Sequence, residues 1–436
     1  MSKKFLTLIS ILMIAVFVLA ACAPAAATEA PAEEAPAAEQ PTAAPAAEEP
    51  TTAPAAEEPA AEAVKIVLWT KEGEADGGFQ WVKSLTDAYT AMHPNVTFEV
   101  VNKEVETLRE DFQTSSLAGD PPELLWTVND HAGPFTAAGL IMPVDDLFDM
   151  SQYVDSVVMD GKTYAVPISS GNHLMLLYNK DLIAEPPADT DALIAAAANF
   201  TGDVKALVYN QTEPFWLVPW LGGFGGSVFA EDGVTPTLNT PEMVSTLQWM
   251  LDMKTTYGIV PSESDYDGSD TLFKEGKAAM IINGDWSLGG YSEALGDKLG
   301  VAPIPQVVGA GWPAPYTSGT YFMMPTDLEG ATLDAVVDFV KFVTNEENQL
   351  AQLETLNRLP ALRSVLENPM IAEDPILAGS AKQMSYGTPM PSALEMRCNW
   401  DAMKPEMLAV LSGTKAPEQA AADMQTAAET CVSQLE

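Results

Sequence analysis

Positive charge is scarce in this 436-residue chain, with 21 Lys and Arg against 61 Asp and Glu, a formal charge of −40. A surface of that sign repels nucleic acid and anionic membranes, and it disfavours phosphate-rich ligands outside a local basic pocket. Histidine and cysteine are also rare, three of each. No two cysteines have CxxC spacing and no histidines match them, which speaks against a zinc or dithiol framework. GxSxG, HExxH and GxxxxGK[ST] are absent, excluding the nucleophile elbow, zincin and phosphate-loop chemistries that need them. The run 265–270 has Asp270 where a calcium loop requires its glycine, so it reads as a surface turn. Gly222-Gly-Phe-Gly-Gly226 lacks GxGxxG spacing and reads as tight backbone packing. No metal or cofactor is expected.

At the N-terminus, Lys3 and Lys4 precede an apolar stretch at 5–21. It is shorter than the roughly 20 apolar residues that span a bilayer and ends in small residues, so 1–21 reads as a signal peptide. Its end, Leu19-Ala20-Ala21-Cys22, resembles a bacterial lipobox. That implies a lipidated Cys22 and a chain held at the outer face of the cell membrane by lipid alone. The competing reading is an ordinary secretory signal with a chance cysteine. After Cys22, the segment to residue 63 contains only Ala, Pro, Glu, Thr and one Gln. It has almost nothing to bury, so 22–63 is expected to be a disordered tether.

The remaining 373 residues carry 52 acids against 19 bases and suit two lobes better than one core. Cys398 and Cys431 form an even pair in an exported chain, for which a disulfide is the default. Strands at 65–69, 96–101 and 123–126 alternate with helices at 79–92 and 106–117. The first helix sets Trp81, Leu85, Ala88, Tyr89 and Met92 on one face. This β-α-β-α-β order predicts an α/β fold with a parallel sheet flanked by helices. Ligands on such sheets bind beyond the carboxyl ends of the strands, which puts 69–74 and 127–131 beside the site. Further strands are expected at 164–167, 174–178 and 206–210, and helices at 241–257, 333–342, 345–356 and 416–435.

Several segments resemble one family in the same order along the chain. Ile66-Val-Leu-Trp69, Gly119-Asp-Pro-Pro122 before Glu123-Leu-Leu-Trp126, and Pro167 followed by Tyr178-Asn-Lys-Asp181 resemble the solute-binding proteins of ABC importers. So does Phe273-Lys-Glu-Gly-Lys-Ala-Ala-Met280 leading into Ile282-Asn-Gly-Asp-Trp286. Asn210-Gln-Thr-Glu213-Pro214-Phe215-Trp216 is similar to a segment of the maltose/maltodextrin-binding (family 1 sugar-binding) proteins. Trp286, Asp130 and Trp400, ten residues after Met390-Pro391, match their positions too. The resemblance implies a two-lobed periplasmic-binding-protein fold of type II. Each lobe would hold a mixed, mainly parallel sheet flanked by helices, with the ligand cleft between lobes. It places chain crossings near 169–171, 318–320 and 360–362, hence one lobe at 64–170 plus 319–361 and the other at 171–318 plus 362–436. It also implies a carbohydrate ligand, a membrane permease as partner, a monomer, and no reaction at the site.

Pyranose rings have apolar C–H faces and a rim of hydroxyls, so aromatic rings and carboxylates suit them. Phe215, Trp216, Trp286 and Trp400 are the candidate rings. Asp130, Glu213, Glu74, Asn129 and His131 are the candidate hydrogen-bonding groups. Against the family pattern, His131 replaces a basic residue, Thr127 a tryptophan and Glu74 a lysine, and a glutamate falls near Gly171 or Asn172. Trp69 and Trp126 read as core or cleft wall, and His93 before Pro94 as a helix-end residue. A polyamine or glycerol phosphate ligand, or an extracellular glycan hydrolase using Asp130 and Glu213, are the alternatives.

Overall fold

The computed structural model describes residues 62–154 and 156–435. The expected signal peptide at 1–21, Cys22 and the expected tether up to residue 61 lie outside the described residues.

Strand β1 (Val64–Thr70) turns Val64, Ile66 and Leu68 into the core by strict alternation. Helix α1 (Gly78–Met92) packs behind it through Val82, Leu85 and Tyr89. Its buried face is displaced from the expected one: Trp81 is only partly buried and Met92, past the last packed turn, is exposed. After β2 (Val96–Asn102), the Glu104 carboxylate accepts from the Thr107 N–H and starts α2 (Val105–Ala118), which stops at Gly119 with φ 78°. Strand β3 (Leu124–Val128) follows, entirely buried.

Beyond it run β4 (Val166–Gly171), β5 (Leu174–Asn179), β6 (Lys205–Tyr209) and α3 (Tyr266–Lys274). Then come β7 (Ala278–Gly284), β8 (Leu299–Ala302), β9 (Tyr316–Met323) and α4 (Gly330–Val343). The chain closes with α5 (Glu346–Leu356), β10 (Thr388–Pro389), α6 (Glu395–Leu411) and α7 (Pro417–Val432). The run 265–270 is not a loose turn. Asp265 accepts from the Gly268 N–H and caps α3, with Ser269 and Asp270 buried behind it.

Two sheets result. The first has the order β10-β9-β3-β1-β2, with β4 also paired to β9; β1 is parallel to both β2 and β3. The second has the order β8-β5-β7-β6, and only β6–β7 is parallel. It is mixed as expected, but antiparallel pairs outnumber parallel ones. Strand β5 comes straight from the first sheet with no crossover helix, so it enters against its neighbours. Each sheet has its own core. Ile66, Leu68, Tyr89, Phe322 and Phe339 fill the first. Leu207, Met280, Ile282, Trp220, Met403 and Met407 fill the second. Cys398 is bonded to Cys431, which ties α6 to α7. These are the two lobes of the type II fold.

Three segments run side by side where the sheets meet. Ser169 pairs with Thr320 and bridges to Pro360, and the Ser170 N–H donates to the Leu359 carbonyl at 2.9 Å. Gly171 and Asn172 then take positive φ, 115° and 44°. A Cβ on Gly171 would come within 2.4 Å of the Asp285 carboxylate, so glycine is required there for space as well as for angle.

Candidate binding site

A cavity of about 860 Å³ opens at the carboxyl ends of β1 and β3 and is walled on its other side by the second sheet and α6. Strand β1 delivers Lys71, Glu72 and Asp76, and β3 delivers Asp130. Asn172 enters from the crossing, Glu213, Phe215 and Trp216 from the loop after β6, Trp286 from the end of β7, and Trp400 from α6.

Aromatic rings form one continuous wall. Phe215 lies 6.1 Å from Trp286 and 6.4 Å from Trp400, centroid to centroid. Trp216 stands edge-on to Trp286 and is almost wholly buried, its indole N–H donating to the Ile282 carbonyl at 2.9 Å. Trp216 therefore backs the wall more than it faces the cavity. Trp286 folds over Gly284, where a Cβ would sit 2.1 Å from the ring. Its N–H donates to the Tyr266 hydroxyl at 3.0 Å, and Arg358 donates to its carbonyl at 2.9 Å. Trp400 donates from its indole N–H to Asp130 Oδ2 at 3.2 Å.

Each cation that lines the cavity is paired with a carboxylate. Glu72 accepts from Arg358 Nη1 at 2.6 Å, with Lys71 Nζ 3.4 Å away. Burial pushes this carboxyl up, but the charges of Arg358 and Lys71 outweigh it and hold Glu72 at about 2. Glu213 is bound by Lys404, and Arg397 by Asp401 and Glu106. Asp76 accepts from the Tyr266 hydroxyl at 3.0 Å. Asp130 differs from these. It has no cation partner, Oδ1 has no hydrogen-bond partner, and burial with the charge of Glu106 pushes its pKa up to about 7.

Three residues expected at the site do not line this cavity. A turn closed by the Gly77 N–H and the Glu74 carbonyl leaves Glu74 exposed and tucks Glu72 and Asp76 inward. The Asn129 amide donates to the Met390 carbonyl at 2.8 Å and fixes that loop from behind. The His131 ring meets Thr127 Oγ1 at 2.8 Å and is buried, which pushes its pKa down to about 3 and keeps it neutral. Asp130, Glu213, Phe215, Trp216, Trp286 and Trp400 do line it. Glu72 falls within the stretch 69–74 expected beside the site, whereas Arg358, Asp76, Tyr266, Arg397 and Lys404 were not foreseen. Arg358 carried a signal, being one of four arginines in a strongly acidic chain. Among the described residues, no group of three or more His, Cys, Asp or Glu could hold a metal ion.

The family model for bacterial extracellular solute-binding proteins matches residues 84–379. The chain is 28% identical over 366 residues to the maltotriose-binding protein of Pyrococcus abyssi, covering 80% of this chain and 78% of that protein. The maltose/maltodextrin-binding domain of Bdellovibrio bacteriovorus, solved bound to maltotriose, is 34% identical with a TM-score of 0.81, covering 85% of this chain and all of that one. The Thermus thermophilus maltotriose-binding protein, at 24% identity and a TM-score of 0.78 over 84% of this chain and all of that one, shares the fold. The chain belongs to the bacterial extracellular solute-binding proteins of ABC importers and resembles their maltose/maltodextrin-binding members; it is a binding protein rather than an enzyme.

Proposed function

We propose that the protein captures a neutral sugar or short oligosaccharide of the maltodextrin kind between its lobes and delivers it to a membrane permease. The observation that carries this reading is the wall of Phe215, Trp286 and Trp400 beside a cavity whose cations are each paired with a carboxylate. Rings of this kind cover the C–H faces of pyranoses, and the Asp130 carboxyl at the cavity wall is a group that bonds their hydroxyls. A phosphate ester would need an unpaired cation, and Lys71, Arg358, Arg397 and Lys404 are each beside a carboxylate already. A polyamine would need several free carboxylates inside the cavity; besides Asp130, those without a cation partner, Glu104, Asp265 and Asp267, are exposed to water, and Glu104 and Asp265 already accept backbone N–H bonds as helix caps. The relatives' names and the maltotriose in the Bdellovibrio structure point the same way.

In this reading the lobes are 64–170 with 319–361 and 171–318 with 362–436, and they close by hinging where 169–171, 318–320 and 360–362 run together. Ligand contacts from both lobes favour the closed form, and only that difference in affinity drives closure. Asp130, Glu213, Phe215, Trp286 and Trp400 are the ligand-contacting set. The protein acts as a monomer, lipidated at Cys22 and tethered at the outer face of the cell membrane. A thermal-shift screen across oligosaccharides, polyamines and phosphate esters tests the ligand class. Ligand at 100 times its dissociation constant stabilises by about 2.7 kcal/mol. A shift with maltotriose and none with spermidine or glycerol 3-phosphate is expected; the reverse pattern would sink the sugar reading.

A further inference from the structure

The two sides of the cleft touch each other directly next to Trp286. Asp76 lies in the loop after β1, on the first lobe. Tyr266 and Lys274 are at the two ends of α3, which packs on the second sheet through Phe273. The Tyr266 hydroxyl has one proton, and it donates that proton to Asp76 Oδ2 at 3.0 Å. Its oxygen accepts from the Trp286 indole N–H, also at 3.0 Å. Lys274 Nζ donates to the Ala75 carbonyl at 3.0 Å and to Asp270 at 2.9 Å, and stands 3.8 Å from Asp76. One short loop is therefore held directly by a hydroxyl and an ammonium from the opposite lobe.

We propose that Asp76 and Tyr266 form a latch between the lobes, which favours the closed form before ligand enters and fixes the ring of Trp286 as it closes. The inference rests on the proposed closure of the lobes, and it assigns Asp76 a positioning role that requires no contact with ligand. Location makes this link stronger than the Arg397 ion pairs, which also cross the cleft. Asp76 is 7% exposed, so its bond to Tyr266 is poorly screened. The Arg397 side chain is 30% exposed and its partners Glu106 and Glu110 are 47% and 64% exposed, where water and salt weaken the pair. Asp76 Oδ1 has no hydrogen-bond partner, so opening the cleft and hydrating this carboxylate offsets part of the latch. The contact therefore biases the equilibrium without locking it. Apparent affinity scales with the fraction of molecules already in the binding-competent form, so the latch tunes affinity.

The test measures lobe separation without ligand. Spin labels at Leu117→Cys and Val234→Cys, both exposed positions, are read by pulsed dipolar spectroscopy in a Cys22→Ser background, with and without maltotriose. Ligand-free protein should show a closed population, and Asp76→Ala and Tyr266→Phe should each lower the closed-to-open ratio about tenfold, the scale of a hydrogen bond to a charged group. The double variant should lose no more than either single one. Tyr266→Phe removes only the hydroxyl and keeps the ring, so it carries the test if Asp76→Ala folds poorly. A ligand-free distribution unchanged by either substitution, in protein that still closes on maltotriose, overturns the latch alone. A separation that responds to neither sugar nor substitution overturns closure and latch together.

Discussion

Gly284 lets Trp286 face the cleft, because a methyl group at that position would occupy the space of the indole ring. Gly284→Ala should therefore weaken ligand binding in a protein that still folds, and calorimetric titration with maltotriose checks it. Trp286→Ala and Trp400→Ala should each weaken binding by about 30-fold or more, as for buried aromatic anchors generally; unchanged affinity in both would refute the stacking assignment. Asp130 gives a pH prediction. Its folded-state pKa of about 7 lies above the ordinary value of 3.8, so the folded protein holds a proton that the unfolded chain has lost. This contribution to stability is complete below about pH 4 and disappears as pH rises through 7. Asp130→Asn should abolish that decline, making the variant the more stable of the two at pH 8 in urea titrations. Glu72 has the opposite sign, contributing above the ordinary 4.5 and losing its contribution as pH falls towards 2. At this scale the rings were legible, because the segments around Trp286 and Trp400 resemble a family pattern. Asp130 and Glu213 were legible in the same way, but the charge pairs around them were not. Arg358 meets Glu72 across 286 positions of sequence, and no local pattern encodes such a pair. His131 misled because a loop histidine looks available until the fold buries it.

The elements that carry the site were read unevenly. Strands β1 to β3 and the helices between them announced themselves through alternation, the 3.6-residue period and Gly119, so the carboxyl-end placement of 69–74 and 127–131 could be drawn from sequence. Helix α6 could not, although it bears Trp400, Arg397 and Lys404. Pro405 lies inside it and reads as a breaker, while the packing of Met403, Met407 and Cys398 into the second core overrides that signal. The Cys398–Cys431 bond closes 33 positions of chain, and such a loop is worth about 4 kcal/mol in the chain-entropy view. Reduction should therefore lower the unfolding midpoint. Because α6 carries Trp400, affinity for maltotriose should fall along with it, whereas Trp286 fluorescence should respond less.

For the whole molecule, the proposed closure joins two cores, three adjacent crossings and a cavity lined from both sides into one device, in which binding and closure are the same event. The proposed tether and lipid site lie apart from that device in the sequence. Cys22→Ser should release the protein from membranes in fractionation and leave its affinity unchanged, whereas loss of affinity would contradict the proposed separation of roles. The central claim is that the cavity between the lobes takes a neutral oligosaccharide against its aromatic wall. Isothermal titration of the purified protein with maltotriose, spermidine and glycerol 3-phosphate, repeated on Trp286→Ala, tests it most directly. The account predicts saturable one-to-one binding of maltotriose alone, much weakened by the substitution. Binding of spermidine or glycerol 3-phosphate without maltotriose, or maltotriose binding indifferent to Trp286, would contradict it.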